Sequence, residues 1–158
     1  MLDKETYYLK KTKLLMLQIF NMVMKTEEVA IREAADSQNL SVAEMHTLVA
    51  VGRRGAKTMT TIAGELRINV STLSIAINKL EKKGCVRRIR NEEDRRVVRI
   101  SLTAKGRRAL DQHEKFYFDM VEEACSSMDE QGKRIFIQSL ENMAEFFEKK
   151  LDSAEKTV

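Results

Sequence analysis

The amino-acid sequence predicts a mainly α-helical fold with one small β-hairpin, and three observations predict it. No proline and only six glycines interrupt the 158 residues, and 33% of them are charged, a composition that suits long helices. Through most of the chain apolar residues recur at spacings of three and four, the period of a helix with one buried face. Only after Gly84 does the period change to two. Val86 and Ile89 alternate loosely against Arg87, Arg88 and Arg90, and Val98, Ile100 and Leu102 alternate cleanly against Arg99 and Ser101.

Each element then follows in order. From about Tyr7 to Ala35 one long helix is expected, with Leu15, Ile19, Met22, Val23 and Ile31 as apolar positions; Asp36, Ser37, Gln38 and Asn39 end it. Ser41 with Glu44 three residues later forms a capping-box pattern for a second helix carrying Met45, Leu48, Val49 and Val51. Gly52 and Gly55, among Arg53, Arg54 and Lys57, close it in a basic turn. Thr58 or Thr60 caps a short helix, Thr61 to Leu66. Asn69 caps the next, Val70 to Leu80, whose residues Val70, Leu73, Ala76, Ile77 and Leu80 share one face and leave Ser71, Thr72, Ser74, Asn78 and Lys79 on the other. Gly84 supplies the left-handed residue that stops this helix.

The hairpin after Gly84 turns at Asn91-Glu92-Glu93-Asp94 and is expected to be apolar on one face and cationic on the other. A lone hairpin is marginal in water, so its apolar face must lie on neighbouring helices. Thr103 caps a long helix that reaches about Ser127, and Asp129 caps a last one, where Phe136, Leu140, Met143, Phe147 and Leu151 form an apolar stripe. Two short helices joined by a tight turn, followed by an arginine-rich hairpin, have the form of a winged helix-turn-helix.

Charge distribution points the same way. The net charge of +4 and pI near 9.1 are mild, but the positive charge concentrates between Lys79 and Arg108 while the final third is rich in Asp and Glu. A local basic patch is the footprint of a nucleic-acid partner. On the polar face of the Val70 to Leu80 helix, serine and threonine suit phosphates or bases, asparagine suits adenine, and lysine suits phosphate or guanine. Arg95 and Arg99 suit phosphate.

The run Asp94-Arg95-Arg96, followed by Leu102-Thr103-Ala104-Lys105-Gly106, resembles the D-x-R…L-T-x-x-G signature of the MarR (multiple antibiotic resistance regulator) family. Leu80-Glu81-Lys82-Lys83-Gly84 is similar to that family's L-E-x-x-G helix end. The resemblance implies a dimeric winged-helix transcriptional regulator, a repressor on a pseudo-palindromic DNA operator. It implies an N-terminal dimerisation helix over residues 1–37, a DNA-binding lobe over 38–106 and C-terminal dimerisation helices over 107–158. Leu15, Ile19, Phe136, Leu140, Met143, Phe147 and Leu151 are the expected dimer positions; the last helix has no other partner for its stripe. The resemblance also implies that Asp94 orients Arg96 and that Arg96 enters the minor groove, where narrowing concentrates negative potential. Many relatives carry an arginine where this chain has Ile75, so readout here turns to an apolar contact with a thymine methyl.

Within the family, Ser41 to Thr47 and Asn91 to Val98 look most like the branch that represses fatty-acid synthesis genes. That likeness implies a small apolar ligand or an acyl carrier protein as a partner besides DNA. Methionines at positions 16, 22, 24, 45 and 120 suit an adaptable apolar pocket or simply a core.

Other classes are weighed on specific residues. Cys85, beside Arg87 and Arg88, is the residue on which a cysteine-based redox-sensing regulator would rest; packing is the plainer reading of it and of Cys125. A helical interaction module binding an acidic protein partner is the other competitor. His46 and His113 are the only histidines and read as core or interface residues, so no metal is expected. No nucleophile elbow or phosphate-binding glycine loop occurs, so neither a catalytic residue nor a cofactor is expected. No run approaches the roughly 18 apolar residues of a membrane span, and the N-terminus lacks the signal-peptide order of regions, so the expected location is cytoplasmic, with both thiols reduced.

Overall fold

The computed structural model describes residues 3–36, 39–90 and 98–155. Its elements are α1 (Lys4–Glu33), α2 (Val42–Val51), β1 (Lys57–Thr58), α3 (Met59–Glu65), α4 (Val70–Lys82), β2 (Val86–Arg90), β3 (Val98–Leu102), α5 (Ala104–Cys125) and α6 (Glu130–Glu155). Two compact units result, Met1–Tyr117 and Phe118–Val158. No described helix is long and apolar enough to cross a membrane.

Local side chains set the helix boundaries. At α2 the capping box is complete: the Ser41 hydroxyl accepts from Glu44 N (3.2 Å) and Glu44 Oε2 accepts from Ser41 N (2.8 Å). Thr58, rather than Thr60, caps α3 by accepting from Thr61 N, and Asn69 caps α4 by accepting from Thr72 N at 2.7 Å. α4 ends in a Schellman motif, with Cys85 N donating to Leu80 O and Gly84 N to Glu81 O; Gly84 takes the positive φ of 73° that this requires. α6 is capped by Asp129 Oδ1, which accepts from Gly132 N.

The sheet has the order β1-β3-β2, all antiparallel. Its core face lies on the helices: Leu48, Val51, Ile62, Leu73, Ile77, Leu80, Val86, Ile100, Leu102 and Leu110 are buried together, and Ile31 joins them from the end of α1. β1, absent from the sequence reading, pairs Lys57 with Ile100 and Thr58 with Arg99.

The strand register corrects the expected faces of the hairpin. Arg88 pairs with Ile100 and Ile89 with Arg99, and directly paired residues project to the same side. Ile89 therefore lies on the outer face with Arg87 and is exposed, while Arg88 lies on the inner one. Val70, the first residue of α4, also departs from its expected inward position and is 44% exposed.

In the unit Met1–Tyr117, α1 exposes Leu15, Ile19 and Phe20 among other apolar residues. In the unit Phe118–Val158, Phe136 and Met143 are half-buried while Leu140, Phe147 and Leu151 are exposed.

Candidate nucleic-acid interface

α4 is built as a two-faced helix. Leu73, Ile77 and Leu80 are fully buried and anchor it against α2 and α3. On the opposite side Ser71, Thr72, Ile75, Asn78 and Lys79 are exposed, with Ile75 at the centre and 60% accessible. Ser74 is half-buried at the border of that face. The face thus presents a hydroxyl pair near the helix N-terminus, an apolar knob, an amide and a cation in about two and a half turns. That set can bond to base edges and phosphates and can contact a thymine methyl.

Neighbouring residues hold this face in place. The Ser71 hydroxyl donates to Asn69 Oδ1 at 2.7 Å, so the capping amide also orients Ser71. Asn78 Oδ1 accepts from Arg88 Nη2 at 2.6 Å, which links the helix face to the first wing strand. Arg88 also approaches Glu81 at 3.7 Å. Arg87 Nε donates to Ser101 Oγ at 3.2 Å across the hairpin, and Arg99 Nη1 donates to Ala56 O at 3.3 Å while its side chain stays exposed. Asp94, Arg95 and Arg96 lie outside the described residues.

The turn between α3 and α4 brings the two helices together through Arg67, the one non-glycine residue with positive φ (50°) among those described. Ile68 N donates to Ala63 O at 3.0 Å and closes that turn. Behind it, Lys83 of the L-E-x-x-G segment reaches the buried Glu44, donating to both carboxylate oxygens at 2.8 and 2.6 Å and to Asn39 O at 2.6 Å. Burial pushes the Glu44 carboxyl up, but the Lys83 ammonium and the Ser41 bonds outweigh it, and the net direction is below the ordinary value.

The wing is fixed to the following helix by Thr103 and Gly106. Thr103 N donates to Cys85 O, its hydroxyl donates to Gly84 O at 2.6 Å, and Thr103 Oγ1 accepts from Gly106 N at 3.1 Å. Gly106 lies so close to the chain that an added Cβ would stand 2.0 Å from Cys85 O. The L-T-x-x-G pattern is therefore a docking joint between wing and α5. Cys85 itself is buried, and burial pushes its thiol pKa up against the partial opposition of Lys105 and Lys83, the reverse of what a reactive thiol requires.

Two open cavities flank this lobe. One of about 660 Å³ is lined by His46, Val49, Ala50, Leu66 and Tyr117 among others; one of about 430 Å³ lies beside α4 and includes Ile68, Ile75 and Ala76. Neither has a methionine in its wall: Met45 is packed in the core, and Met16, Met22 and Met24 are exposed on α1. Met45 thus fits the core reading, and it also borders a small recess with Ile31 and Phe116.

The helix-turn-helix of α3 and α4, with the half-buried α4 followed by a hairpin, defines a winged helix-turn-helix protein. The MarR family model matches residues 40–98, which span α2 to the start of β3. The Streptococcus pneumoniae FabT structure, solved in complex with DNA, is similar at 33% identity with a TM-score of 0.81, covering 89% of this chain and 98% of that one. Two Bacillus subtilis (strain 168) relatives match more locally. The uncharacterized HTH-type transcriptional regulator YwhA is 29% identical over 93 residues, 59% of this chain and 67% of its own. The HTH-type transcriptional repressor MdtR is 28% identical over 74 residues, and the match spans 47% of this chain and about half (48%) of that repressor. The chain belongs to the MarR family.

Proposed function

We propose that this protein is a homodimeric transcriptional repressor that binds a pseudo-palindromic operator, one α4 in each of two major grooves about one helical turn apart. The observation that carries the reading is the exposed Ser71, Thr72, Ile75, Asn78 and Lys79 face of a helix otherwise sealed into the core. Ser74 acts at its border, Lys79 and Arg99 supply phosphate attraction, and Arg95, with the Asp94 and Arg96 pair, extends the contact along the wing as the family resemblance implies. The role is binding, not catalysis.

The dimer is proposed from unpartnered apolar residues. Leu15 and Ile19 on the N-terminal helix, and Leu140, Phe147 and Leu151 on the last helix, are exposed, more apolar surface than a monomer usually leaves in water. Phe136 and Met143 complete the stripe. Control comes from an apolar or acyl ligand that favours one arrangement of the DNA-binding lobes over another. The cavity of about 660 Å³ is of a size suited to such a ligand, and the likeness of Ser41 to Thr47 and of Asn91 to Val98 to the fatty-acid-synthesis branch supports an acyl chain, with an acyl carrier protein as its donor.

Selection of bound duplexes from a random DNA pool at near-physiological salt tests the reading. A palindromic consensus is expected. Recovery of no preferred sequence would leave only phosphate attraction and would favour a module for an acidic protein partner.

A further inference from the structure

Where the end of α4 meets the start of α5, lysines converge on a further cavity, polar and of about 440 Å³. Its wall includes Lys82 and Lys83 of the L-E-x-x-G segment, Lys105 of the L-T-x-x-G joint, and Asp36 and Asn39 from the chain between α1 and α2. All of these belong to the unit Met1–Tyr117.

The charges around this cavity do not balance. Lys83 is spent, its three donors going to both oxygens of Glu44 and to Asn39 O. Asp36 is spent as well. Arg108 donates to its two oxygens at 3.0 Å each, and that guanidinium, helped by Lys105, holds the Asp36 carboxyl below its ordinary value. Lys82 is exposed and has no carboxylate partner among the described residues, while half-buried Lys105 makes one bond, to Lys83 O at 3.1 Å. Four cations therefore face two carboxylates, and the positive charges of Lys82 and Lys105 remain uncompensated around one recess. An ammonium has three donors, so Lys82 keeps three to offer and Lys105 two. A concave wall of one sign focuses the field and draws a counter-ion into it.

We propose that this cavity binds a phosphoryl group, held by Lys82 and Lys105. A phosphate monoester carries a charge of about −1.5 to −2 at pH 7 and three acceptor oxygens, which matches two uncompensated ammoniums. A carboxylate brings a single charge, and the guanidinium fork that suits it best is already engaged with Asp36. Lysine serves phosphate as a point charge and demands no planar acceptor. The volume of about 440 Å³ leaves room for the phosphoryl group and part of the molecule that carries it. A bound anion joins the end of α4 to the start of α5, across the joint that Thr103 makes with Gly84 O and Cys85 O. Two sources supply this chemistry, a phosphorylated small molecule and the DNA backbone.

The test begins without DNA. Full-length protein is titrated calorimetrically with pyrophosphate at constant ionic strength, and with acetate as the monocarboxylate control. Expected are one pyrophosphate per chain and no binding of acetate. Lys82→Met and Lys105→Met each lower the affinity by about 10-fold or more, the loss that goes with a hydrogen bond to a charged group. Lys79→Ala, outside the cavity wall, leaves it unchanged. Melting curves check folding; Lys82 is exposed and makes no bond among the described residues, so Lys82→Met carries the test even if Lys105→Met unfolds. A DNA duplex then separates the two sources. A backbone phosphate in the cavity makes pyrophosphate compete with the duplex and lowers the salt slope of Lys82→Met by about 1, whereas a phosphorylated small molecule leaves that slope unchanged. No pyrophosphate binding at millimolar concentration, equal binding of acetate, or equal affinity in wild type and Lys82→Met would overturn the site.

Discussion

At Gly106 a single methyl group would collide with backbone. The α5 start packs against Cys85 so closely that an alanine Cβ would stand 2.0 Å from its carbonyl oxygen, and neither partner is a flexible side chain. Gly106→Ala should cost about 2–4 kcal/mol and lower the melting temperature; an unchanged melting temperature would mean that α5 does not dock on the wing at this point. Lys83 gives a second residue-scale prediction. Glu44 has its carboxyl pKa held below 4.5, so its contribution to stability is complete above about pH 4.5 and is lost as pH falls through the folded-state value. Lys83→Met leaves the buried carboxylate without its cation and should cost about 1–3 kcal/mol at neutral pH. The deficit should shrink in acid, where Glu44 is protonated with or without Lys83. Denaturant melts of both proteins from pH 7 to 3 read this directly, and a deficit constant across that range would contradict it. Gly106 and Lys83 were legible through the L-T-x-x-G and L-E-x-x-G patterns that hold them, not through partners close in sequence, since Lys83 bonds Glu44 39 residues away. The buried Glu27, on which His46 and His113 both converge, was not legible, because it stands 19 residues from His46 and 86 from His113, and no local spacing betrays a cluster assembled by three helices.

At the scale of elements, the caps at Ser41, Asn69 and Asp129 and the stop at Gly84 were readable because each is a conversation between residues one turn apart. β1 was not readable. Two residues carry no period, and Lys57–Thr58 is a strand only because β3 lies beside it. The side assigned to Ile89 failed for a related reason: Val86 and Ile89 are three apart, an odd spacing that places them on opposite faces of a strand. For α4 the helix face was legible, whereas the Asn78 to Arg88 bond that ties it to the wing was not. Each of Lys79→Ala and Arg99→Ala should reduce the slope of log affinity against log salt by about 1, with little change in sequence preference. Unchanged slopes would remove these side chains from the phosphate contacts.

For the whole molecule, the unpartnered apolar residues matter most. α1 and α6 together expose leucines, isoleucines and phenylalanines that neither compact unit covers for itself. A two-fold partner is the proposed cover, and Leu140→Asp should convert the protein to a monomer in sedimentation and weaken operator binding, since two half-sites then cease to be joined. Persistence of the dimer would exclude the middle of α6 from the interface. The sequence suggested a dimer through stripes without partners together with the family resemblance.

The central claim is that α4 reads DNA sequence, and the most direct measurement is the specificity ratio of a variant with its face removed. Ser71→Ala, Ile75→Ala and Asn78→Ala combined leave the buried anchor and the cations intact. Affinities of wild type and variant are measured for the selected duplex and for a scrambled one at the same salt. The account predicts at least about a 10-fold fall in the ratio, with binding to scrambled DNA and its salt slope unchanged. An unaltered ratio would contradict it and place sequence recognition elsewhere in the chain.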